Sequence, residues 1–340
     1  MFAQIESILQ KIGAVLLAIV ATFSSLLGLG SGGIPEEAAT EDTLCYTIAV
    51  LSDTHIDNAA AAAMLDAGLR DISADYLDVD AVLFLGDSTD NGNVENWETF
   101  TNSVTKYCTV ENKIVILGNH DTWTSYDTPH DYDEALANYL TYSNAIMGTE
   151  HTTPYFTCEF SGYSFIVLAS EDTSVSAKVS DEQLNWADEQ LAAAAAKSKG
   201  KPIFVLMHQP LNYTHAVDNN KDNNGFSDNE TSKKLQAIMD KYENVYYLSG
   251  HQHYGLNDGS SAYNYPYGFT TVEHVGNNIT SVNLPSFIYP SMIFGGDPLA
   301  GDGLIINIYA DRVELLGRNF IAQGWLDYTA TVSLTAPVNE

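Results

Sequence analysis

Five short polar motifs carry the side chains that could do chemistry, and each directly follows a run of apolar residues. They are Asp53-Thr54-His55, Gly86-Asp87, Gly118-Asn119-His120-Asp121, Met207-His208 and Gly250-His251-Gln252-His253. The candidate metal ligands among them are Asp53, His55, Asp87, Asn119, His208, His251 and His253. This donor set contains no thiolate and suits zinc, manganese or iron. Seven ligands exceed what one ion needs, and a carboxylate can bridge two ions, so the motifs predict a two-metal site.

Taken singly, each motif also has an ordinary structural explanation. An isolated D-x-H or G-D often marks a turn or a helix cap, and His208 after an apolar run could be a hydrogen-bonded core histidine. G-N-H-D is the most specific motif, since four unusual residues follow a buried strand. The ordered set of five, each at the end of a predicted strand, favours the metal site.

The elements that must position these motifs alternate between strand and helix. Apolar runs predict strands at residues 46–51, 81–85, 113–117, 155–160, 163–168, 202–207 and 245–248, with helices near 58–76, 94–107, 133–147, 180–199 and 231–242. This alternation predicts parallel pairing and a layered α/β core, in which loops after the strand ends meet in one crevice. Residues 304–309 and 312–316 predict an antiparallel hairpin, and a second sheet is expected to close the molecule.

The order D-x-H, G-D, G-N-H-D, H and G-H-x-H resembles the calcineurin-like metallophosphoesterase superfamily from Tyr46 to Phe320. The resemblance implies an α/β fold, a four-layer α/β-β/α double β-sandwich with helices on both outer faces and a two-metal site at its edge. It assigns the first metal to Asp53, His55 and His253, the second to Asn119, His208 and His251, and the bridge to Asp87. His120 would face the substrate without binding metal, and Asp121 would orient His120.

Two positions separate the chain from one branch of that superfamily. Purple acid phosphatases have a D-x-G first motif and a ligand tyrosine after the G-D aspartate, whereas His55 and Asp90 stand here in the comparable places. The motif pattern is more similar to the branch of class III cyclic-nucleotide phosphodiesterases and related secreted phosphoesterases. That branch is mixed in substrate.

The resemblance also implies a reaction, the hydrolysis of a phosphate ester. A metal-bridging hydroxide would attack phosphorus, and His120 would act as the general acid that protonates the leaving alkoxide. A phosphodiester is favoured as substrate, and a phosphomonoesterase or nucleotidase activity on the same centre stays open. A binding module that has lost its chemistry is the alternative from another class, although every ligand position and His120 are present.

Acidic residues dominate the charge of the chain. Its 340 residues include 44 Asp+Glu and 14 Lys+Arg, which gives a net charge of −30. This charge argues against a nucleic-acid binding surface and against docking on anionic lipid, since both need clustered cations. The predicted partner is a small phosphate ester, and the metal ions would supply the positive charge that receives it.

The N-terminal residues differ from the rest of the chain. Residues 12–29 are apolar and uncharged, and Lys11 precedes them. This pattern predicts a signal peptide or an N-terminal membrane anchor over residues 1–33, followed by an acidic linker over 34–44. A buried core helix is the remaining interpretation. The phosphoesterase domain is expected over 45–325 and a C-terminal tail over 326–340, in a protein that is secreted or anchored outside the cell.

Substrate contacts are expected from loops that follow the motifs. The connection over residues 211–230 is too long for a tight turn, and its Tyr213, His215 and Phe226 could contact a leaving group. Trp123 and Tyr126 follow G-N-H-D and could form another wall of the pocket. The alternatives are a solvated insertion for the long loop and simple coverage of the core for the two aromatic residues.

Overall fold

The structure is a computed structural model that describes residues 43–125, 130–216, 225–259, 269–288 and 300–335. The expected signal peptide or anchor over 1–33 and nearly all of the linker over 34–44 lie outside these residues. Among the described residues, no helix is both long enough and apolar enough to span a membrane.

Two six-stranded sheets form the centre of the described chain. Their strands are β1 (Leu44–Leu51), β2 (Ala81–Phe84), β3 (Asn112–Val115), β4 (Phe156–Phe160), β5 (Tyr163–Val167), β6 (Ile203–Leu206), β7 (Val245–Ser249), β8 (Val272–Val275), β9 (Ile279–Asn283), β10 (Asp302–Tyr309), β11 (Arg312–Asn319) and β12 (Gly324–Ser333). The first sheet has the order β12-β11-β10-β1-β2-β3, and the second has the order β4-β5-β6-β7-β9-β8.

Five α-helices lie in the described part of the chain: α1 (Ala59–Ile72), α2 (Val94–Tyr107), α3 (Tyr132–Met147), α4 (Asp181–Ser198) and α5 (Asn229–Met239). Each begins after an Asn, Asp or Ser whose side chain accepts a backbone N–H of the first turn. Such caps satisfy donors that have no partner within the helix. The capping residues therefore explain where these helices start.

The strand side chains alternate between two cores, as the pleat of a strand requires. Ile48 of β1 lies in a central cluster with Phe204 of β6, between the sheets. The neighbouring Ala49 packs on the other face of the first sheet, in the cluster that contains Leu65 of α1. A third cluster joins the second sheet to α4 and α5 through Val205 and its neighbours. The predicted four-layer α/β-β/α arrangement is confirmed.

Parallel strands bring the polar motifs to one edge. In the first sheet β1 pairs with β2, and β2 pairs with β3, both in parallel. In the second sheet β6 and β7 are parallel neighbours. The loops that follow these five strands therefore leave each sheet in a common direction, as the sequence predicts.

The structure corrects the expected C-terminal boundary. Residues 324–333 form β12, which pairs with β11 along nearly its whole length, so most of the expected tail over 326–340 belongs to the first sheet. The predicted hairpin of β10 and β11 is present, and it extends the first sheet next to β1. The second sheet consists of other strands, including β8 and β9, which the sequence pattern does not predict.

Candidate metal centre

The five motifs converge where the two sheets meet. Asp53, Asp87 and Asn119 follow β1, β2 and β3 of the first sheet, whereas His208 and His251 follow β6 and β7 of the second. Backbone hydrogen bonds join the loops, for example from Asp53 N to Gly86 O at 3.1 Å and from Gly250 N to His208 O at 2.9 Å. The centre is therefore built from both halves of the fold.

Four side chains converge at the first predicted metal position. Asp53 Oδ1 lies 3.0 Å from His253 Nε2 and 3.8 Å from His55 Nε2. The two imidazole nitrogens lie 3.1 Å apart, and Asp87 Oδ2 is 3.9 Å from His55 Nε2. Ligand atoms of all four residues lie within 4.8 Å of one another. Metal–ligand bonds of about 2.1 Å place ligands at such separations around one ion.

The second predicted position shares Asp87. His208 Nε2 lies 3.0 Å from Asp87 Oδ2 and 3.8 Å from Asp53 Oδ1. His251 joins Asp87 and His208 in a second group whose ligand atoms lie within 4.8 Å of one another. Because Asp87 belongs to both groups, its carboxylate is placed to bridge two ions.

Two buried atoms of the centre test whether the residues fit metal ions. Asn119 Oδ1 and His251 Nε2 have no hydrogen-bond partner among the described residues. A buried polar atom without a partner costs about 1–3 kcal/mol, and a metal ion would satisfy both atoms. Oxygen and nitrogen donors without sulfur suit zinc, manganese and iron alike. The residues therefore fit a two-metal centre.

One oxygen of each aspartate accepts hydrogen bonds from backbone N–H or hydroxyl groups. Asp53 Oδ2 accepts from Ser52 Oγ at 2.5 Å and from the backbone N–H of His251 at 3.1 Å. Asp87 Oδ1 accepts from the backbone N–H of His120 at 2.8 Å. The second oxygen of each carboxylate is then the one that lies nearest the imidazole nitrogens. Such outer contacts orient ligands before a metal binds.

Two of the candidate histidine ligands are also oriented by contacts with neighbouring residues. His208 Nδ1 lies 2.7 Å from the carbonyl oxygen of Leu85, and a carbonyl only accepts, so Nδ1 carries the proton. His55 Nδ1 lies 3.2 Å from Asp90 Oδ1. Both contacts leave Nε2 as the metal-binding nitrogen.

Glycine stands before the ligands because a side chain would displace them. A Cβ on Gly118 would lie 2.1 Å from the backbone nitrogen of Asp87, and a Cβ on Gly250 would lie 1.9 Å from Ser52 Oγ. The strand ends approach one another too closely for alanine. The glycine of G-N-H-D and that of G-H-x-H are thus explained by packing at the centre.

The backbone is strained at five of the seven candidate ligands. The φ angles are +55° at Asp53, +40° at His55, +47° at Asp87, +72° at His251 and +55° at His253. A left-handed conformation at a residue other than glycine costs of the order of 1–3 kcal/mol, and such residues cluster at functional sites. The surrounding hydrogen bonds hold the ligands in this unfavourable arrangement.

Burial and charge shift the pKa values of the centre in opposite directions. Burial favours a raised pKa for Asp53, but His253 and His208 outweigh it and hold that pKa well below its usual value. Burial favours a lowered pKa for His208, but Asp87 and Asp53 raise it to about 10. Burial, aided by His208, lowers the pKa of His251 to about 3. Before metal binds, His208 therefore carries a proton that a metal ion must displace.

His120 lies on the more open side of the centre. Its side chain is 24% exposed, whereas that of His55 is 1% exposed. His120 Nδ1 lies 2.9 Å from the backbone oxygen of Asp90 and 3.6 Å from its Oδ1. Asp90 therefore contacts a candidate ligand, His55, and the candidate acid, His120. The sequence pattern places Asp90 only where purple acid phosphatases have a ligand tyrosine, and it does not predict this double contact.

The structure corrects the expected role of Asp121. Its carboxylate accepts from the backbone N–H groups of Ser88, Thr89 and Gly118 at 3.2, 2.9 and 2.9 Å, and from the Thr89 hydroxyl at 2.7 Å. These bonds fix the loop after Asp87, and Asp90 takes the place of Asp121 beside His120. Burial raises the pKa of Asp121, and Asp87 adds to the effect. The spacing of Asp90, three residues after Asp87, is the signal that could have identified it.

Trp123 is the candidate substrate contact that the structure places beside His120. The two ring centroids lie 4.1 Å apart. Tyr126 lies outside the described residues. Of the two aromatic residues expected after G-N-H-D, the structure thus describes Trp123, and it places that ring against His120.

Two of the three candidates in the long loop are corrected by their burial. His215 is fully buried, and its ring nitrogens contact Thr270 O at 2.7 Å and Ser281 Oγ at 2.8 Å. Phe226 packs in the core under α4 and α5. Tyr213 is 55% exposed, but it lines a cavity of about 320 Å³ between α5 and β8. Burial thus removes His215 and Phe226 as substrate contacts, because neither can reach a leaving group without unfolding the loop.

Comparison with known proteins agrees with this geometry. The family model for calcineurin-like phosphoesterases matches residues 46–255, which contain all five motifs. A search of curated proteins finds no match.

Solved structures share the fold at low sequence identity. The purple acid phosphatase PPD1 from yellow lupin (Lupinus luteus) seeds aligns with a TM-score of 0.53 and 14% identity, over 85% of this chain and 53% of that chain. GAP50, the anchor in the inner membrane complex of Plasmodium, aligns with a TM-score of 0.52 and 12% identity, over 86% of this chain and 90% of that chain. This chain spans about half the length of the lupin protein. These likenesses describe the fold alone.

Proposed function

This chain belongs to the calcineurin-like phosphoesterase family, and from that premise we propose that it hydrolyses small phosphodiesters at a two-metal centre. Membership of the family implies a metal-dependent phosphoester hydrolase. The preference for a diester is supported by one observation, the balance of charge in the centre.

Three carboxylates contact the imidazoles of the centre, those of Asp53, Asp87 and Asp90. Two divalent ions would bring about four positive charges. The charges of the attacking hydroxide and of a protonated His120 cancel, so about one positive charge is left in excess of the three carboxylates. The single negative charge of a phosphodiester balances this excess. A phosphomonoester dianion carries one charge more and needs a further cation from the protein.

The described lysines and arginines with charged partners are paired away from the centre. The pairs are Lys178 with Asp172, Lys197 with Glu159, Lys233 with Glu230, Lys234 with Asp181, Lys241 with Asp188, Arg312 with Glu314 and Arg318 with Asp71. Bidentate arginine is the common protein partner of a phosphate dianion. Among the described residues, no ion pair joins such a cation to a candidate ligand. This pairing of the described cations away from the centre supports the proposal of a substrate with one negative charge.

The residues of this chain supply the proton for the leaving group. Bound metal ions would lower the pKa of a water molecule and neutralise the phosphoryl oxygens. His120 Nδ1–H donates a hydrogen bond to the backbone carbonyl of Asp90. His120 Nε2 is then the nitrogen that carries the proton for a leaving alkoxide. The Asp90 carboxylate, 3.6 Å away, stabilises the protonated ring.

The proposal is tested with the purified full chain loaded with zinc, manganese or iron. Bound metal is counted, and turnover is compared for a nucleotide diester, a lipid head-group diester and a phosphomonoester. We expect two ions per chain and faster turnover of a diester. Faster turnover of the monoester would refute the diester preference, and two bound ions without turnover would indicate a binding module.

His120→Ala tests the role of the acid in the same assay. General acid catalysis contributes about 10²–10⁴-fold, so turnover of an alkyl diester should fall by that factor while both ions remain bound. His274→Ala is the matched control, because His274 is exposed on β8 at the edge of the second sheet. Near-normal turnover of His120→Ala would exclude the assigned acid.

Export is a separate proposal, supported by the apolar residues 12–29. Fractionation of cells that express the full chain, compared with a chain that begins at residue 34, tests it. Full-length protein in the cytosolic fraction would refute it.

A further inference from the structure

Trp123 lies between the candidate general acid and a loop of the second sheet. Its indole ring packs on His120, with centroids 4.1 Å apart and planes tilted by 42°. Its Nε1–H donates to the carbonyl of Thr173 at 3.0 Å. Thr173 lies in the connection between β5 and α4. One side chain therefore joins His120, carried by the first sheet, to a loop of the second.

The loop that receives this hydrogen bond is itself anchored. The Glu171 carboxylate accepts from Ser180 N at 2.9 Å and from Ser180 Oγ at 2.8 Å, next to the start of α4. The Tyr132 hydroxyl donates to Ser170 O at 2.8 Å. These contacts lie on the N-terminal side of Thr173 and at the helix that follows it. They fix the carbonyl that holds the indole.

The backbone and the ring of Trp123 have further contacts. Gly92 N donates to Trp123 O at 2.5 Å. A Cβ on Gly92 would lie 1.9 Å from Asp121 O, so the two segments are in close contact. His130 stacks on the indole, with centroids 5.4 Å apart and planes within 12°. The indole is thus held by a hydrogen bond, a ring neighbour and its own backbone.

His120 needs more than one contact to keep its orientation. The hydrogen bond from Nδ1 to Asp90 O fixes one atom of the ring, but the ring can still turn about that bond. The indole surface of Trp123 restrains the plane of the ring. The His55 ring also packs edge-on against His120, with centroids 4.6 Å apart, and these contacts together orient His120 Nε2.

We propose that Trp123 is a positioning residue that holds His120 in the orientation for proton transfer and couples it to the Thr173 loop. This inference rests on the proposed function, since it requires His120 to protonate the leaving group. Trp123 acts through His120 and takes no part in metal binding.

The experiment compares leaving groups in the metal-loaded full chain. Bis(p-nitrophenyl) phosphate has a leaving group that departs without protonation, whereas an alkyl diester needs the acid. Misplacement of a catalytic group by about 1 Å can cost about 100-fold. We therefore expect Trp123→Ala to lower kcat for the alkyl diester by about 10- to 100-fold, and to leave kcat for the p-nitrophenyl diester nearly unchanged. Both ions should remain bound.

Two further variants separate positioning from general damage. Trp123→Phe keeps an aromatic surface but loses the N–H, so it should recover part of the kcat lost in Trp123→Ala. Trp186→Ala is the matched control, because Trp186 lies on α4 and packs on Tyr155, with centroids 5.0 Å apart. It should affect neither substrate.

Each outcome decides the proposal. Equal losses for both diesters, no loss for either, or loss of bound metal in Trp123→Ala would overturn it. If His120→Ala shows the dependence on leaving group but Trp123→Ala and Trp123→Phe do not, the proposed function stands and this inference fails. If the unmodified, metal-loaded chain hydrolyses neither diester, the proposed function fails first.

Discussion

Replacement of Asp90 by asparagine removes one charge that serves two histidines. Asp90 Oδ1 lies 3.2 Å from His55 Nδ1 and 3.6 Å from His120 Nδ1. Asparagine has nearly the same shape, and its amide oxygen can still accept a hydrogen bond. Asp90→Asn therefore tests the charge of the carboxylate rather than the packing around it.

The expected loss follows from the two contacts. A hydrogen bond to a charged group contributes about 1.5–3 kcal/mol, and about 1.4 kcal/mol corresponds to tenfold. At His55 the loss should weaken metal binding by about 10- to 100-fold, as outer-shell substitutions typically do. At His120 it should slow turnover of an alkyl diester by a similar factor, even when both metal sites are saturated.

Competition with a fluorescent chelator measures the metal affinity of the variant, and steady-state kinetics at saturating metal measures its turnover. Asp57→Asn is the control, because Asp57 is exposed and close to the same motif. It removes the same charge from the same region without contact to either histidine in question. If Asp90→Asn binds metal and turns over alkyl diesters like the Asp57 variant, the assigned role of Asp90 is wrong.

Three other predictions concern packing, stability and long-range charge. Gly118→Ala should displace Asp87 and reduce the amount of bound metal, because its Cβ would lie 2.1 Å from the backbone nitrogen of Asp87. Gly324→Ala is the control and should not reduce bound metal, because its Cβ would have no atom within 4 Å. Metal analysis of both variants tests this prediction. Arg318→Ala removes the cation that pairs with the buried Asp71 carboxylate and should lower the free energy of unfolding by about 3–5 kcal/mol in urea titrations, whereas loss of the exposed Lys234 pair should have a much smaller effect. With a net charge of −30, kcat/KM for an anionic diester should rise when modest salt is added, and a flat or falling response would contradict this.

The fold was largely predictable because its central strands are short apolar runs between polar motifs. Runs such as YTIAVL before Asp53 have few alternatives to a buried strand. The strands β8 and β9 escaped prediction because their sequences, VEHV and ITSVN, are short and polar. The strand β12 alternates between more exposed and less exposed residues at the edge of the first sheet. That alternation could have predicted β12 from the sequence.

The ligand positions were predictable from their order along the chain, but the contacts around them were not. Asp121 is adjacent to His120 in the sequence and Asp90 lies 30 residues before it, but the direction of each carboxylate depends on loops without a regular period. The same limit applies to His215, whose partners lie far away in the sequence at Thr270 and Ser281. Contacts of this kind depend on tertiary structure rather than on local pattern.

The division of the candidate ligands between two sheets affects when a newly synthesised chain can bind metal. Asp53, His55, Asp87 and Asn119 are synthesised first, and His208, His251 and His253 complete the set much later. Neither set contains all the ligands, so stable metal binding would require the two sheets to have joined. A metal bound at this centre would therefore be chosen in the compartment where the chain finishes folding, from the ions available there. A chain exported before it folds would take its metals from outside the cell.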